Sequence, residues 1–546
     1  MDRRTTLGLF LGQKKAKVEK AATTALTFSP YTGPWDWEQA AHLLRRTTFG
    51  PTQAQITEAL SNGLEATIEQ LFAPQPLADP PIYYNFNNDP NIALGESWID
   101  DLETPGIPGL RGARKQSFYA WCFKNMKEEE TSIREKMLLF WHNHFVVINT
   151  NTGRRLYTYV NLMKEQALGN FKTLVEEMTV DPSMLRFLNG NTNTENGPNE
   201  NYARELLELF TIGKGETAGP GDYTNYTEVD VVQIARALTG WRDFNPANNN
   251  DPTESGFVSS RHDSGDKQLS PRFDNAIISN QEENEYKAVV NIIFQKEEVA
   301  RFICRKLYSW FIHSEITGEV EVTVIEPMAQ QLIDENYEIA NPLKALLSSQ
   351  HFYDMEIRGC MLTHPIEHLF KVANTFEVPM STDILTAYKN YKLFHLIMND
   401  AEMGIHDHPT VAGWKAFYQA PQYDKLWINA VSLPLRQQYA NHFVDGYNNN
   451  GYQLKINVLD FAASLTNPLD PNELIREIAS IIFAQPLTNE QLVALKEVLI
   501  PGLPDFEWTV EYGDYLGGNA SLESSIDNKL RTLIGAMVNM PEFHLI

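Results

Sequence analysis

Two stretches decide the reading of the fold: Arg134–Phe145, REKMLLFWHNHF, and Asn199–Gly213, NENYARELLELFTIG. Around the first, Ile133, Met137, Phe140 and Trp141 fall at i, i+4, i+7 and i+8, which is helical spacing. Leu138, Leu139 and Phe145 cover the other side, and a helix that is apolar all round belongs inside a larger body. In the second stretch, Leu206, Leu207, Leu209 and Phe210 wrap the helix. Pro198 and Asn199 supply a start and Gly213 a stop.

The same pattern continues outward. Trp35–Leu60 holds two helical runs with Gly50-Pro51 between them as stop and restart. Thr227 with Asp230, and Thr488 with Gln491, form capping boxes. Ile526, Leu530, Leu533 and Met537 make a late apolar stripe, and Leu156–Met178 and Glu283–Ile312 read as helix. Residues 74–112 read as a long surface excursion. Strand signals are scarce; Gly318–Ile325, GEVEVTVI, alternates for a few residues. The expected fold is mainly α, a large multi-helix body with long irregular loops and little or no β-sheet. Residues 1–30 read as a tail, 31–275 as a helical part carrying the motifs, and 276–546 as a second helical part packed against it, or continuous with it.

The formal charge of the 546-residue chain is −25, from 45 Lys and Arg against 70 Asp and Glu. Such a surface repels phosphate backbones, which argues against nucleic-acid binding. Cys122, Cys304 and Cys360 are too few and too scattered for a disulfide framework or zinc finger. No apolar run approaches the roughly 20 residues of a membrane span. Arg3-Arg4 before Leu7–Gly12 suggests an export signal, but Gln13, Lys14, Lys15 and Lys17 end the apolar patch early. This favours a cytoplasmic location over a periplasmic or secreted one.

Four constellations could carry chemistry. His142 and His144 suit a metal such as a divalent cation only if the helix ends there. On a continuing helix the two rings diverge. The alternative is two satisfied histidines in an aromatic core. Glu205 and Glu208 lie at i and i+3, on one helix face. They suit a metal or acid–base pair, or else an ion-pair lattice in which Glu200 and Glu208 hold Arg204. His262-Asp263 with Lys267 suits a general base and its orienting group, or a plain surface loop. His406 and His408, in HDHP, rank equal with His262 on the residues alone. No GxSxG elbow, P-loop or HExxH motif is present.

Taken together, several segments resemble one bacterial family, the domain of unknown function 1800 (DUF1800) family. They are HLLRRTTFGPT at His42–Thr52, REKMLLFWHNHF, DPSML at Asp181–Leu185, the Asn199–Gly213 helix and ARALTGW at Ala235–Trp241. HDSGDK at His262–Lys267, TVAGW at Thr410–Trp414, LWIN at Leu426–Asn429 and the closing MPEFH complete the set. The resemblance implies a mainly helical fold. It places His142, His144, Glu200, Tyr202, Arg204, Glu205, Glu208, His262 and Asp263 on signature motifs, and favours His262 over His406 and His408. It carries no activity. It does imply a neighbour, since members often accompany a second uncharacterised family, numbered 1501, that looks like alkaline-phosphatase-type enzymes.

Two functional expectations follow. In one, the chain is a hydrolase-type enzyme acting on a polymer or glycan. Tyr202, Arg204, Glu205, Glu208, His262 and Asp263 are then catalytic, and His142 and His144 hold a metal. In the other, it is a structural or binding protein that partners the phosphatase-like neighbour, and the motif charges form a buried ion-pair core.

Overall fold

Asp36 accepts a hydrogen bond from the Glu38 N–H and so starts helix α1, Trp37–Thr47. Local signals of this kind account for most of the architecture. The computed structural model describes residues 27–85, 88–148, 152–244 and 253–546. The expected tail, up to residue 26, and with it Arg3-Arg4 and Leu7–Gly12, lies outside the described residues. The chain is mainly helical, and strands occur among the described residues as short two-stranded antiparallel ribbons.

Helix α2 (Leu110–Glu128) packs along the helix Ile384–Asp400, joining early and late sequence. Helix α3 (Arg134–His144) is the FWHNHF helix, and its side chains from Glu135 to His142 are buried. The second signature begins as α4 (Asn201–Glu205) and continues through a π-helical turn, Leu206–Thr211. Helix α5 (Glu228–Ala237) follows, then α6 (Glu285–Ile293) and α7 (Glu297–Phe311). Near the C-terminal end, α8 (Pro471–Ile482) packs close to α1, so that Arg45 reaches the last carbonyls of α8. One apolar core runs through the body, from Ala40 to Phe543.

Both expected capping boxes form. Elsewhere the expected helices divide. Leu156–Met178 becomes Gly153–Glu165 and Phe171–Thr179, because Asn170 caps a fresh start by accepting the Thr173 N–H. Glu283–Ile312 becomes α6 and α7, separated at Lys296, whose backbone is extended.

The alternating stretch Gly318–Ile325 is helical, not extended. Thr317 caps it by accepting the Val320 N–H. Val320, Val324 and Ile325 are buried on one face, and Glu321 pairs with Arg305. Valines at i and i+4 satisfy a helical period as well as an alternating one, and the buried face selects the helix.

The α5 cap also anchors the loop that follows it. Asp230, fully buried, accepts from the Thr227 N–H at 2.8 Å and from the Ser270 N–H and hydroxyl, each at 2.7 Å. Removing it strands buried donors on both sides. Asp230→Ala therefore lowers stability in urea unfolding by about 3 kcal/mol. Thr227→Ala, which removes the cap alone, lowers it by about 1 kcal/mol.

Candidate functional site

Helix α3 ends at His144, because Phe145 leaves the helical region at φ −99° and ψ 76°. The two signature histidines therefore sit in its last turn, and their rings turn to different neighbours. His142 Nε2 accepts from the His406 N–H at 3.1 Å. Its ring centroid lies 4.3 Å from that of His406 and 4.6 Å from that of His408. His408 in turn lies over Trp414, 4.0 Å between centroids. His406 holds a left-handed backbone, φ 58°, and its Nδ1 lies 3.0 Å from the Val147 carbonyl oxygen. Among the described residues, four ring nitrogens of this buried trio have no protein partner: His142 Nδ1, His406 Nε2 and both of His408.

His144 faces the other signature. Its Nε2 donates to the Phe210 carbonyl at 3.0 Å, which leaves Nδ1 as the acceptor. Lys306 of α7 donates to it, with Nζ 3.2 Å from His144 Nδ1 and 3.0 Å from the Leu209 carbonyl oxygen. Leu209 and Phe210 lie in the closing π turn of the α4 segment, and carbonyls at a helix end have no intrahelical donor. One histidine and one lysine from two other helices satisfy them.

No carboxylate pairs with Lys306 among the described residues. Its neighbour Arg305 takes both nearby acids, Glu298 and Glu321, at 2.6 Å each. Burial alone pushes the Lys306 amine down to about 7. Lys306 opens onto a cavity of about 190 Å³ lined also by Phe140, Asn143, His144, Ser309 and Trp310. Asn143 Oδ1 accepts the Trp414 N–H at 2.9 Å, and its amide donors have no protein partner among the described residues. Gly413 permits this contact. It sits at φ 92°, and a Cβ there would lie 2.7 Å from the Asn143 carbonyl oxygen.

The remaining signature residues form separate networks. Tyr202 is buried and donates to Thr179 Oγ1 at 2.9 Å. Arg204 grips Glu228 with two bonds of 2.7 and 2.8 Å and reaches Glu200 at 3.1 Å. Glu208 accepts from the Tyr226 hydroxyl at 3.0 Å and lies 3.9 Å from Lys214. Half-buried Glu205 has its carboxyl raised by burial and by Glu208. Farther along, Glu285 is fully enclosed and bridges His262 at 2.9 Å and Lys267 at 2.7 Å. His262 Nδ1 lies 2.9 Å from the Thr239 carbonyl oxygen, so both ring nitrogens face acceptors. Asp263 pairs with Arg236 at 2.7 Å. The α3 and α4 signatures meet through His144 and the Phe210 carbonyl. Among the described residues, no group of three or more His, Cys, Asp or Glu side chains is arranged to hold a metal ion.

Lys306, Asn143 and Ser309 were not singled out in the sequence. The available signal was a lysine within an apolar helical face, between Ile303, Cys304, Leu307 and Trp310. Nor did any local pattern place His406 and His408 beside His142.

Two outcomes follow from this geometry. Glu285→Ala leaves the buried Lys267 and His262 without their anion and costs about 3–5 kcal/mol in denaturant unfolding. The second concerns acid. Burial lowers His142, His144 and His408 well below the ordinary histidine range and His406 to about 4. The unfolded chain therefore takes up these protons first, at about pH 6.5. Stability is full above that pH and falls as pH drops toward 4. The ring nitrogens of His408 have no partner, so His408→Phe keeps the packing on Trp414. It leaves stability at pH 7 within about 1.5 kcal/mol and reduces the acid loss, as thermal melts at pH 7 and pH 5 will read.

No curated protein and no solved structure matches this chain. One family model matches residues 42–545, nearly the whole chain, under the description "Protein of unknown function (DUF1800)". The chain is a member of the DUF1800 family.

Proposed function

We propose that the chain is a hydrolase-type enzyme whose reactive centre is the Lys306 amine in the cavity between α3 and α7. The observation that carries this reading is the disposition of the amine. Its hydrogen-bond partners are the Leu209 carbonyl and His144 Nδ1, both acceptors; the Phe302 ring lies 4.8 Å from it, and no carboxylate among the described residues holds it as an ammonium. A neutral amine spends its two N–H bonds on these acceptors and keeps its lone pair. Lysines depressed toward neutrality by burial serve as bases or nucleophiles.

The roles follow from the lining. The lone pair takes a proton from water, or from the Ser309 hydroxyl one turn along α7, as the oxygen attacks an acyl carbon. The resulting ammonium returns the proton to the leaving group. Asn143, oriented by Trp414 and Gly413, offers its free amide N–H groups to the developing oxyanion. His144 is a positioning residue, because it touches the amine. The cavity presents no pair of carboxylates of the kind that glycosidic cleavage uses. An ester or amide group carried by a polymer or glycan suits it better than the glycosidic bond itself. In this reading Tyr202, Arg204, Glu208, His262 and Asp263 hold the framework, and Glu205 is the signature carboxyl left without a cation partner.

The second reading, a structural or binding protein for a phosphatase-like partner, is favoured by the matched pairs Arg204–Glu228 and Arg236–Asp263 and by the Glu285 bridge. Hydrolysis of small aryl esters and amides separates the two. The enzyme reading expects turnover that falls about 100-fold in Lys306→Met and in Asn143→Ala. It also expects a pH–rate profile rising through about pH 7. Turnover equal in wild type and Lys306→Met refutes it.

A further inference from the structure

A second cavity, of about 220 Å³, lies between α1 and α8 and is lined by Arg45, Arg358, Arg476, Glu38, Trp37 and Phe483, among others. Three guanidinium groups face one carboxylate there, on a chain whose overall charge is −25. Arg45 and Arg358 are both more than nine-tenths buried, at 7% and 3% exposure. Arg45 belongs to the HLLRRTTFGPT segment.

The hydrogen bonds of these arginines leave charge to spare. Arg45 gives Nη2 to the Ser480 and Ile481 carbonyls, at 2.5 and 3.0 Å, and its Nε has no partner. Arg358 gives Nη1 to Glu38 at 2.5 Å, and its Nε is likewise unpartnered. Glu38 is itself 56% exposed and balances one cation incompletely. Arg476 pairs with Glu473 but is 54% exposed, at the rim. Two enclosed cations with little to neutralise them are costly, and such groups normally pair with an anion. Burial and the nearby Arg358 charge hold Arg45 down at about 10, consistent with this repulsion.

We propose that this cavity is a binding site for a small anion of the phosphate or carboxylate type, free or as the end group of a larger ligand. Arg45 and Arg358 form its floor, and Arg476 sits at its mouth. Guanidinium groups suit this chemistry because their planar forks donate in pairs to oxyanions. Glu38 is the competing internal anion, occupying Arg358 when the site is empty. The site is independent of the Lys306 centre and shares no lining residue with it.

The test uses the full-length protein, with inorganic phosphate and acetate as probes against chloride at matched ionic strength. Binding is read by calorimetry and by the shift in Tm. The expected result is saturable stabilisation by at least one of the two oxyanions. Binding weakens by about 10-fold or more in Arg358→Gln. It weakens less in Arg476→Gln, a rim residue whose loss leaves the fold intact. Glu38→Gln shifts it the other way, tightening it about 3-fold by removing the competitor. If Arg358→Gln does not fold, the opposite signs of Arg476→Gln and Glu38→Gln still decide. Shifts that do not saturate, or that are equal in all the proteins, overturn the proposal, as does the absence of binding by either anion.

Discussion

The carbonyl oxygens of Leu209 and Phe210 end a signature helix against the packed body of the protein. Buried backbone acceptors must be paired, and these two recruit His144 from α3 and Lys306 from α7. That requirement ties three helices together at one point. It fixes the histidine tautomer, because a nitrogen that donates to Phe210 leaves the other to accept. It also explains why a lysine is drawn beneath an aromatic surface without a carboxylate to accompany it. The π turn at Leu206–Thr211, a deviation that often marks functional positions, supplies the carbonyls in question.

The interior holds many other charges, and the contrast among them is informative. Glu285 between His262 and Lys267, Lys136 against Glu367, and Lys164 against Glu135 are buried but matched. Matched pairs fix the arrangement of helices and give little reason to suspect reactivity. Lys306, like Lys371, which bonds the Phe543 and Leu545 carbonyls, has no such carboxylate among the described residues. What sets Lys306 apart is its cavity, which it shares with Asn143, beside a carbonyl, an imidazole and the Phe302 ring. The functional reading rests on this difference and not on the abundance of charge.

Much of the fold was legible because its signals are local. Capping boxes at Thr227 and Thr488, the all-round apolar α3 and the stop at Gly213 each depend on residues within a few positions. The site was legible only in part. FWHNHF and ARELLELF do meet, but through a backbone carbonyl, which no side-chain pattern encodes. The lysine that meets His144 lies 162 residues away, on a helix where it reads as an ordinary polar interruption. His406 and His408 ranked below His262 once the family motifs were weighed, yet the fold places them against His142. Gly318–Ile325 satisfied two periods at once, and burial of Val320 and Val324 chose between them.

The central claim is that the Lys306 amine is neutral near physiological pH. It is tested most directly by the NMR titration of ¹³Cε-labelled lysine, with the Lys306 resonance assigned by its disappearance in Lys306→Arg. The account predicts that this signal titrates near pH 7, well below the ordinary lysine value of about 10.4. A Lys306 signal that titrates with the surface lysines would contradict it.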